Sequence, residues 1–178
     1  HEEIIWNKVT GGTNRFGVTV KNSYPTNYRA NVMHEHILVL RKGDGHLRRP
    51  SNGEELPLNS VMKREIANSI WNIAPVPPNQ MRGHPCPFPE QIPWRLIMLY
   101  TYRNDFVLDP FNGSGQTTKV ARCMGRHFIG IDSIAEYVEL ARIRLEEPLR
   151  LSKKFIVPRW KLEEWDDVVE PIAMEPVF

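Results

Sequence analysis

Cysteine is scarce. Cys86 and Cys123 are the only two in 178 residues, too few for a disulfide framework and too isolated for a zinc site. Both are expected to be reduced thiols in a cytoplasmic protein. No apolar run approaches the roughly 20 residues of a membrane-spanning helix, and the first residues do not read as a signal peptide. Charge of one sign is not in excess either: 23 Lys and Arg against 21 Asp and Glu leave a net charge of +2. That balance permits a polyanionic partner without demanding one. The sequence does have proline, fifteen residues of it, well above the usual share of about 5%. Long irregular segments are therefore expected. The chain is long enough for one domain with a real core.

The chain opens at His1 and moves directly into "EEIIWNK", where Ile4, Ile5 and Trp6 read as a buried strand already under way. We read this as part of a longer polypeptide. Val9 to Met33 has turn formers and no sustained period, so it reads as a long loop. In "HEHILVLRKG" the apolar run Ile37 to Leu40 reads as a second buried strand. Asp44 to Pro89 is rich in Pro, Asn and Arg. It holds at most a short helix near Asn59 to Ser69, where Val61, Ile66 and Ile70 keep rough helical spacing. From Glu90 the texture changes. "EQIPWRLIMLYTY" is a helix, "DFVLDP" a buried strand, and "GSGQTTKVARCMG" a helix stopped by Gly125. "RHFIGIDS" is another buried strand. "IAEYVELARIRLEE" is an amphipathic helix with Ile134, Val138, Ala141 and Leu145 on one face. Such alternation predicts parallel strands joined by helical crossovers.

The stretch "DFVLDPFNGSGQTTKVA" places Asp109 at a strand's carboxyl end, where open parallel sheets bind ligands. Gly113 and Gly115 allow a tight turn close to a ligand. The next strand ends in Asp132, an acid placed to accept hydrogen bonds from a ribose. Three nucleotide classes use this geometry. A phosphate-binding P-loop needs Gly-Lys-Ser/Thr, whereas Lys119 follows two threonines. A dinucleotide fold prefers a third glycine where Thr118 stands. A nucleoside ligand without a pyrophosphate is left, S-adenosylmethionine, with Asp109 near its cationic amino-acid end. A turn that binds nothing is the plainer alternative.

"DPFNGSGQTT" resembles the cofactor motif of DNA amino-methyltransferases, which methylate exocyclic nitrogens of adenine (N6) or cytosine (N4). The resemblance extends to "HPCPFPEQIPWRLI", "GIDSIAEYVELARIRL", "EEIIWNK" and "HEHILVLRKG", and covers roughly residues 2–145. It implies an α/β, Rossmann-like S-adenosylmethionine-dependent methyltransferase fold, circularly permuted in the order of the beta group and incomplete at the N-terminus. The methyltransferase domain would span 1–147, with a recognition loop at about 41–83 and a cofactor subdomain at 84–147. Residues 148–178 would form an extension packed on it. The cofactor residues implied are Asp109, Pro110, Phe111, Asn112, Gly113, Ser114, Gly115 and Asp132, joined by His84 and Phe88 from the preceding segment. The partner implied is double-stranded DNA with a flipped target base. The family's catalytic tetrapeptide, Asp or Ser followed by Pro-Pro and an aromatic residue, is nowhere in the sequence. It should lie upstream or on a partner subunit, so no catalytic residue is expected here and the fragment alone is expected to be inactive.

Of the other signals, the basic cluster Arg41, Lys42, His46, Arg48 and Arg49 falls where target recognition is expected and suits phosphate contact; a solvated loop explains it equally well. His34 and His36 are spaced wrongly for helical metal binding, and one of them is expected at the core edge. Cys86, between prolines, is expected to pack. The functional expectation is a site-specific DNA methyltransferase in a restriction-modification or epigenetic setting. A non-catalytic DNA-binding or assembly subunit of a split enzyme is the rival, and a nicotinamide-dependent oxidoreductase a third reading.

Overall fold

Strand β1 (Glu2–Asn7) turns Ile4 and Trp6 inward. The computed structural model describes residues 2–8, 32–43, 62–80, 83–84 and 86–151. β2 (His34–Val39) runs antiparallel to β1 with Ile37 opposite Ile4, and β3 (Ile70–Asn72) runs parallel with Trp71 opposite Trp6. The strand order is β2-β1-β3. Residues directly opposite share a face, so Ile4, Trp6, Ile37, Val39 and Trp71 gather on one side with Ile73 and Ile92. Both buried indoles find acceptors, as they must. Trp6 Nε1 donates to the Ile73 carbonyl at 2.8 Å, and Trp71 Nε1 donates to that of Ile66 at 3.0 Å.

β3 was not foreseen, because three residues are too few to show a period. Val61, Ile66 and Ile70 were expected along one helix. Instead Met62–Ile66 forms a single π-helical turn that buries Met62 and Ile66, while Ile70 enters β3 and stays exposed. Val61 lies outside the described residues.

The second half alternates as expected: α1 (Gln91–Tyr100), β4 (Phe106–Asp109), α2 (Gln116–Cys123), β5 (His127–Gly130) and α3 (Ala135–Arg144). β4 and β5 pair in parallel, with Asp109 opposite Gly130. Gly125, at φ +70°, ends α2. Helix α1 serves both sheets. Its Ile92 joins the core beneath β1, whereas Trp94 and Ile97 join Met62, Ile66, Val120, Ala121 and Met124.

The strands are less buried than their apolar runs suggested. Phe106, Leu108 and Ile129 are 73%, 60% and 50% exposed, and Leu38 is 65% exposed. Only the alternate residues Val107 and Phe128 pack on the core. The helices cover one face of the β4–β5 pair, and among the described residues nothing covers the other. The α3 stripe is likewise corrected: Ala141 is buried, but Ile134 and Val138 are exposed and Arg144 takes a buried place. His34 and His36 are both exposed; His36 pairs with Glu3 at 2.6 Å. Cys86 is exposed as well. Of the tail, Leu149 and Leu151 pack against the second core, and residues 152–178 lie outside the description.

Candidate cofactor site

The loop after β4 is held by its own polar groups, by the segment that follows β5 and by Arg144 of α3. Asp109 Oδ1 accepts the Phe111 N–H at 3.0 Å, starting the turn. Asn112 then donates its N–H to the Ile131 carbonyl at 2.9 Å, which ties the loop to the end of the neighbouring strand. The Gly113 N–H donates to Asp132 Oδ2 at 2.7 Å, and Asp132 Oδ1 accepts the Ile134 N–H at 3.0 Å. Gly115 donates to the Asn112 carbonyl at 2.8 Å, and Thr118 Oγ1 donates to Asn112 Oδ1 at 3.0 Å. Asp109 ends β4, whereas Asp132 lies two residues past the end of β5 and not at it as expected; the two acids flank one turn, Asp109 at its start and Asp132 against its middle.

Two glycines are required here. Gly113 has φ +49°, and a Cβ there would stand 2.6 Å from His84 Nε2. Gly115 has φ +79°, and a Cβ there would meet the Ala141 Cα at 2.9 Å. Both conformations favour glycine, and the second brings α3 against the loop. His84 thus reaches the turn, and its ring lies 4.9 Å from that of Tyr137. The Asp132 carboxyl is held below the usual carboxylate range, first by the Ile134 N–H and then by the Gly113 N–H, with His84 adding to the effect.

The assigned residues divide into three groups. Asp109, Asn112, Asp132 and His84 are partly exposed around the turn, and Phe88, Pro110 and Phe111 are open to solvent. Gly113 and Gly115 are buried, as is Ser114, whose hydroxyl is taken by Arg144 at 3.0 Å. Ser114 can therefore offer a ligand backbone but not its hydroxyl. Arg41 and Lys42 are exposed just beyond β2; His46, Arg48 and Arg49 lie outside the described residues. Lys119, which did not fit a P-loop, is fully buried and bonded to Glu90 at 2.7 Å. It is structural and closed to a phosphate.

Tyr137, Glu90, Gln116 and Arg144 were missed from the sequence. Tyr137, Ala141 and Arg144 are spaced at i, i+4 and i+7, one face of a helix. That spacing was available, but an arginine on such a face reads as solvated. A cavity of about 200 Å³ lies behind the loop, lined by Ile73, Pro75, Gln91, Gln116, Arg144 and Arg150 among others. None of the assigned cofactor residues lines it, so it is distinct from the open turn. Among the described residues there is no cluster of His, Cys, Asp and Glu able to hold a metal, and no helix long and apolar enough to cross a membrane.

The chain is similar to known DNA methyltransferases. It is 29% identical over 168 residues to the type II methyltransferase M.MthZI of Methanothermobacter thermautotrophicus, covering 88% of this chain and 46% of that protein. It is 52% identical over 64 residues to M2.LlaDCHI of Lactococcus lactis subsp. cremoris, covering 36% of this chain and 24% of the relative. It thus spans less than half the length of the curated relatives it matches. Among solved structures, a Thermus thermophilus protein assigned as a DNA modification methylase, in complex with S-adenosyl-L-methionine, superposes with a TM-score of 0.61 at 27% identity. That match covers 82% of this chain and 52% of the other. The M1.HpyAVI complex with the same compound gives 0.53 at 26% identity, covering 83% and 62%. The α/β fold is that of these methyltransferases. The family model for N6/N4 DNA methylases matches residues 1–142, and the chain belongs to that family.

Proposed function

We propose that this chain forms the cofactor-binding part of an enzyme that methylates the N6 amino group of adenine or the N4 amino group of cytosine in double-stranded DNA. The setting proposed is restriction-modification, in keeping with the relatives' being named type II methyltransferases. The carrying observation is the turn itself, in which Gly113 bonds Asp132 while Asp109 opens the loop one strand away. S-adenosylmethionine fits these residues, and when bound it supplies a methyl group activated by sulfonium charge. Asp132 uses one lone pair on each oxygen for backbone N–H groups and keeps others for ribose hydroxyls. Asp109 offers negative charge to the cationic amino-acid end. His84 meets the turn at Gly113, and Phe88 would flank the cofactor from the same segment before α1. Arg41 and Lys42 contact DNA phosphates, the contacts that position a duplex without reading it. The free thiols Cys86 and Cys123 suit a cytoplasmic setting.

No Pro-Pro-aromatic tetrapeptide occurs in the sequence. In the proposed division of labour an upstream segment or a partner subunit supplies it, holds the flipped base and covers the apolar face of Phe106, Leu108 and Ile129. This face is the observation that also favours the second reading, an assembly subunit of a split methyltransferase without chemistry of its own. The test is incorporation of labelled methyl into mixed-sequence DNA. The 178-residue chain alone is expected to show none, and transfer is expected once the remaining part is restored in the same chain or as a partner. Robust transfer by the isolated chain would overturn this division of labour. No transfer after restoration, with cofactor binding absent, would support the assembly subunit.

A further inference from the structure

We infer that Arg144, the last residue of α3, is a positioning residue for the glycine loop. The inference rests on reading that loop as the cofactor seat, and it names the side chain that sets its shape. Arg144 Nη1 donates to the Ser114 carbonyl at 2.9 Å and to the Ser114 hydroxyl at 3.0 Å. Nη2 donates to Glu90 Oε1 at 3.1 Å and to the side-chain oxygen of Gln116. Ser114 stands between the two left-handed glycines, whose backbones are otherwise free to choose among conformations. The Ser114–Gly115 peptide is held at both ends: Arg144 takes its carbonyl, and its N–H donates to Asn112.

The same guanidinium reaches the segment that carries His84 and Phe88. Glu90 follows Phe88 by two residues, and Gln116 donates its side-chain N–H to the Phe88 carbonyl at 2.5 Å. Lys119 and the Arg150 N–H, each at 2.7 Å, complete the shell around the Glu90 carboxylate. One buried cation thus joins both chain segments that face the proposed cofactor. Lysine cannot replace it, because an ammonium lacks the planar fork that serves several acceptors at once. Ser114 is 3% exposed, so a change of its hydroxyl acts on the loop through Arg144 and not through a ligand.

The experiment is calorimetric titration of S-adenosylmethionine into the folded wild-type chain, R144K, S114A and the double variant, with amide exchange of Gly115 followed in each. R144K is expected to weaken binding about tenfold or more and to speed Gly115 exchange. S114A is expected to weaken binding by a smaller factor and to add nothing in the R144K background. A purely architectural role would lower the melting temperature of R144K while leaving the folded fraction's affinity and Gly115 exchange unaltered; that outcome overturns the inference. Should R144K not fold, S114A decides alone, and unchanged affinity and exchange overturn the inference. Absence of binding by the wild type overturns the reading of the loop and the inference with it. Wild-type binding with additive effects of the two substitutions overturns the inference only.

Discussion

Asp132 and Gly115 show how much of the site rests on single residues. Asp132 serves as the proposed ribose acceptor and as the anchor of Gly113. Its folded pKa is depressed, and a carboxyl of that kind stabilises above its unfolded pKa and loses the effect as pH falls through the folded one. The loop tie is therefore complete at neutral pH and fails only in acid. Asp132→Asn keeps an acceptor for Gly113 but loses the charge. It is predicted to fold normally and to bind S-adenosylmethionine more weakly than wild type, while Asp132→Ala loses both functions and binds weaker still. Equal affinity of the two variants in calorimetry would show that the tie to Gly113 is irrelevant. At Gly115, alanine would need a left-handed φ and would sit 2.9 Å from the Ala141 Cα. The strain and the clash together predict a loss of at least about 2 kcal/mol. That corresponds to roughly 4–8 °C in melting temperature for a chain of this size. An unshifted transition would mean that α3 moves away freely.

Helix α1 carries a polar residue that the fold does not use. Gln91 is 1% exposed, and neither atom of its side-chain amide has a hydrogen-bond partner among the described residues. An unsatisfied buried amide costs about 1–3 kcal/mol. Gln91→Met, close in volume, is therefore predicted to stabilise the chain by about 1 kcal/mol in chemical denaturation; a destabilisation would show that the amide is solvated in the cavity. The alternation from α1 to α3 was legible in the sequence because the elements have clear stops: Gly125 after α2, Asp109 at the end of β4, and Asp132 two residues past β5. The loop was legible for the same reason, since glycines and acids at or just past strand ends leave few alternatives. β3 was not legible, because its three residues pair through a register set by β1, far away in sequence. Arg144 was not legible either: its burial depends on Glu90, Ser114 and Gln116 meeting in space. The exposed faces of β4 and β5 misled for the opposite reason. An apolar run states that a strand is to be covered, and not by what.

Those exposed faces matter at the scale of the whole molecule. Phe106, Leu108 and Ile129 form an apolar surface on the sheet that carries the proposed cofactor loop. If the rest of the enzyme seats there, Leu108→Lys is predicted to leave the isolated chain folded while preventing methyl transfer from being restored by the remaining part. Full restoration would place the seat elsewhere. The basic residues Arg41 and Lys42 belong to a second surface. Replacing both with alanine is predicted to weaken DNA binding across all sequences and to reduce the salt slope by up to roughly two units, because each neutralised phosphate releases about 0.9 counterion. An unaltered slope would mark them as ordinary solvated side chains.

The predictions about cofactor affinity and methyl transfer depend on the ligand of the Asp109–Gly115 turn. The most direct measurement is a calorimetric titration of S-adenosylmethionine, with NADH as the control, into the folded wild-type chain and into Asp132→Ala. The account predicts saturable binding of S-adenosylmethionine by the wild type and none of NADH. It also predicts a loss of about tenfold or more in Asp132→Ala, the scale of a charge-assisted hydrogen bond removed. Binding of NADH in place of S-adenosylmethionine, or an affinity for S-adenosylmethionine that Asp132→Ala leaves unchanged, would contradict it.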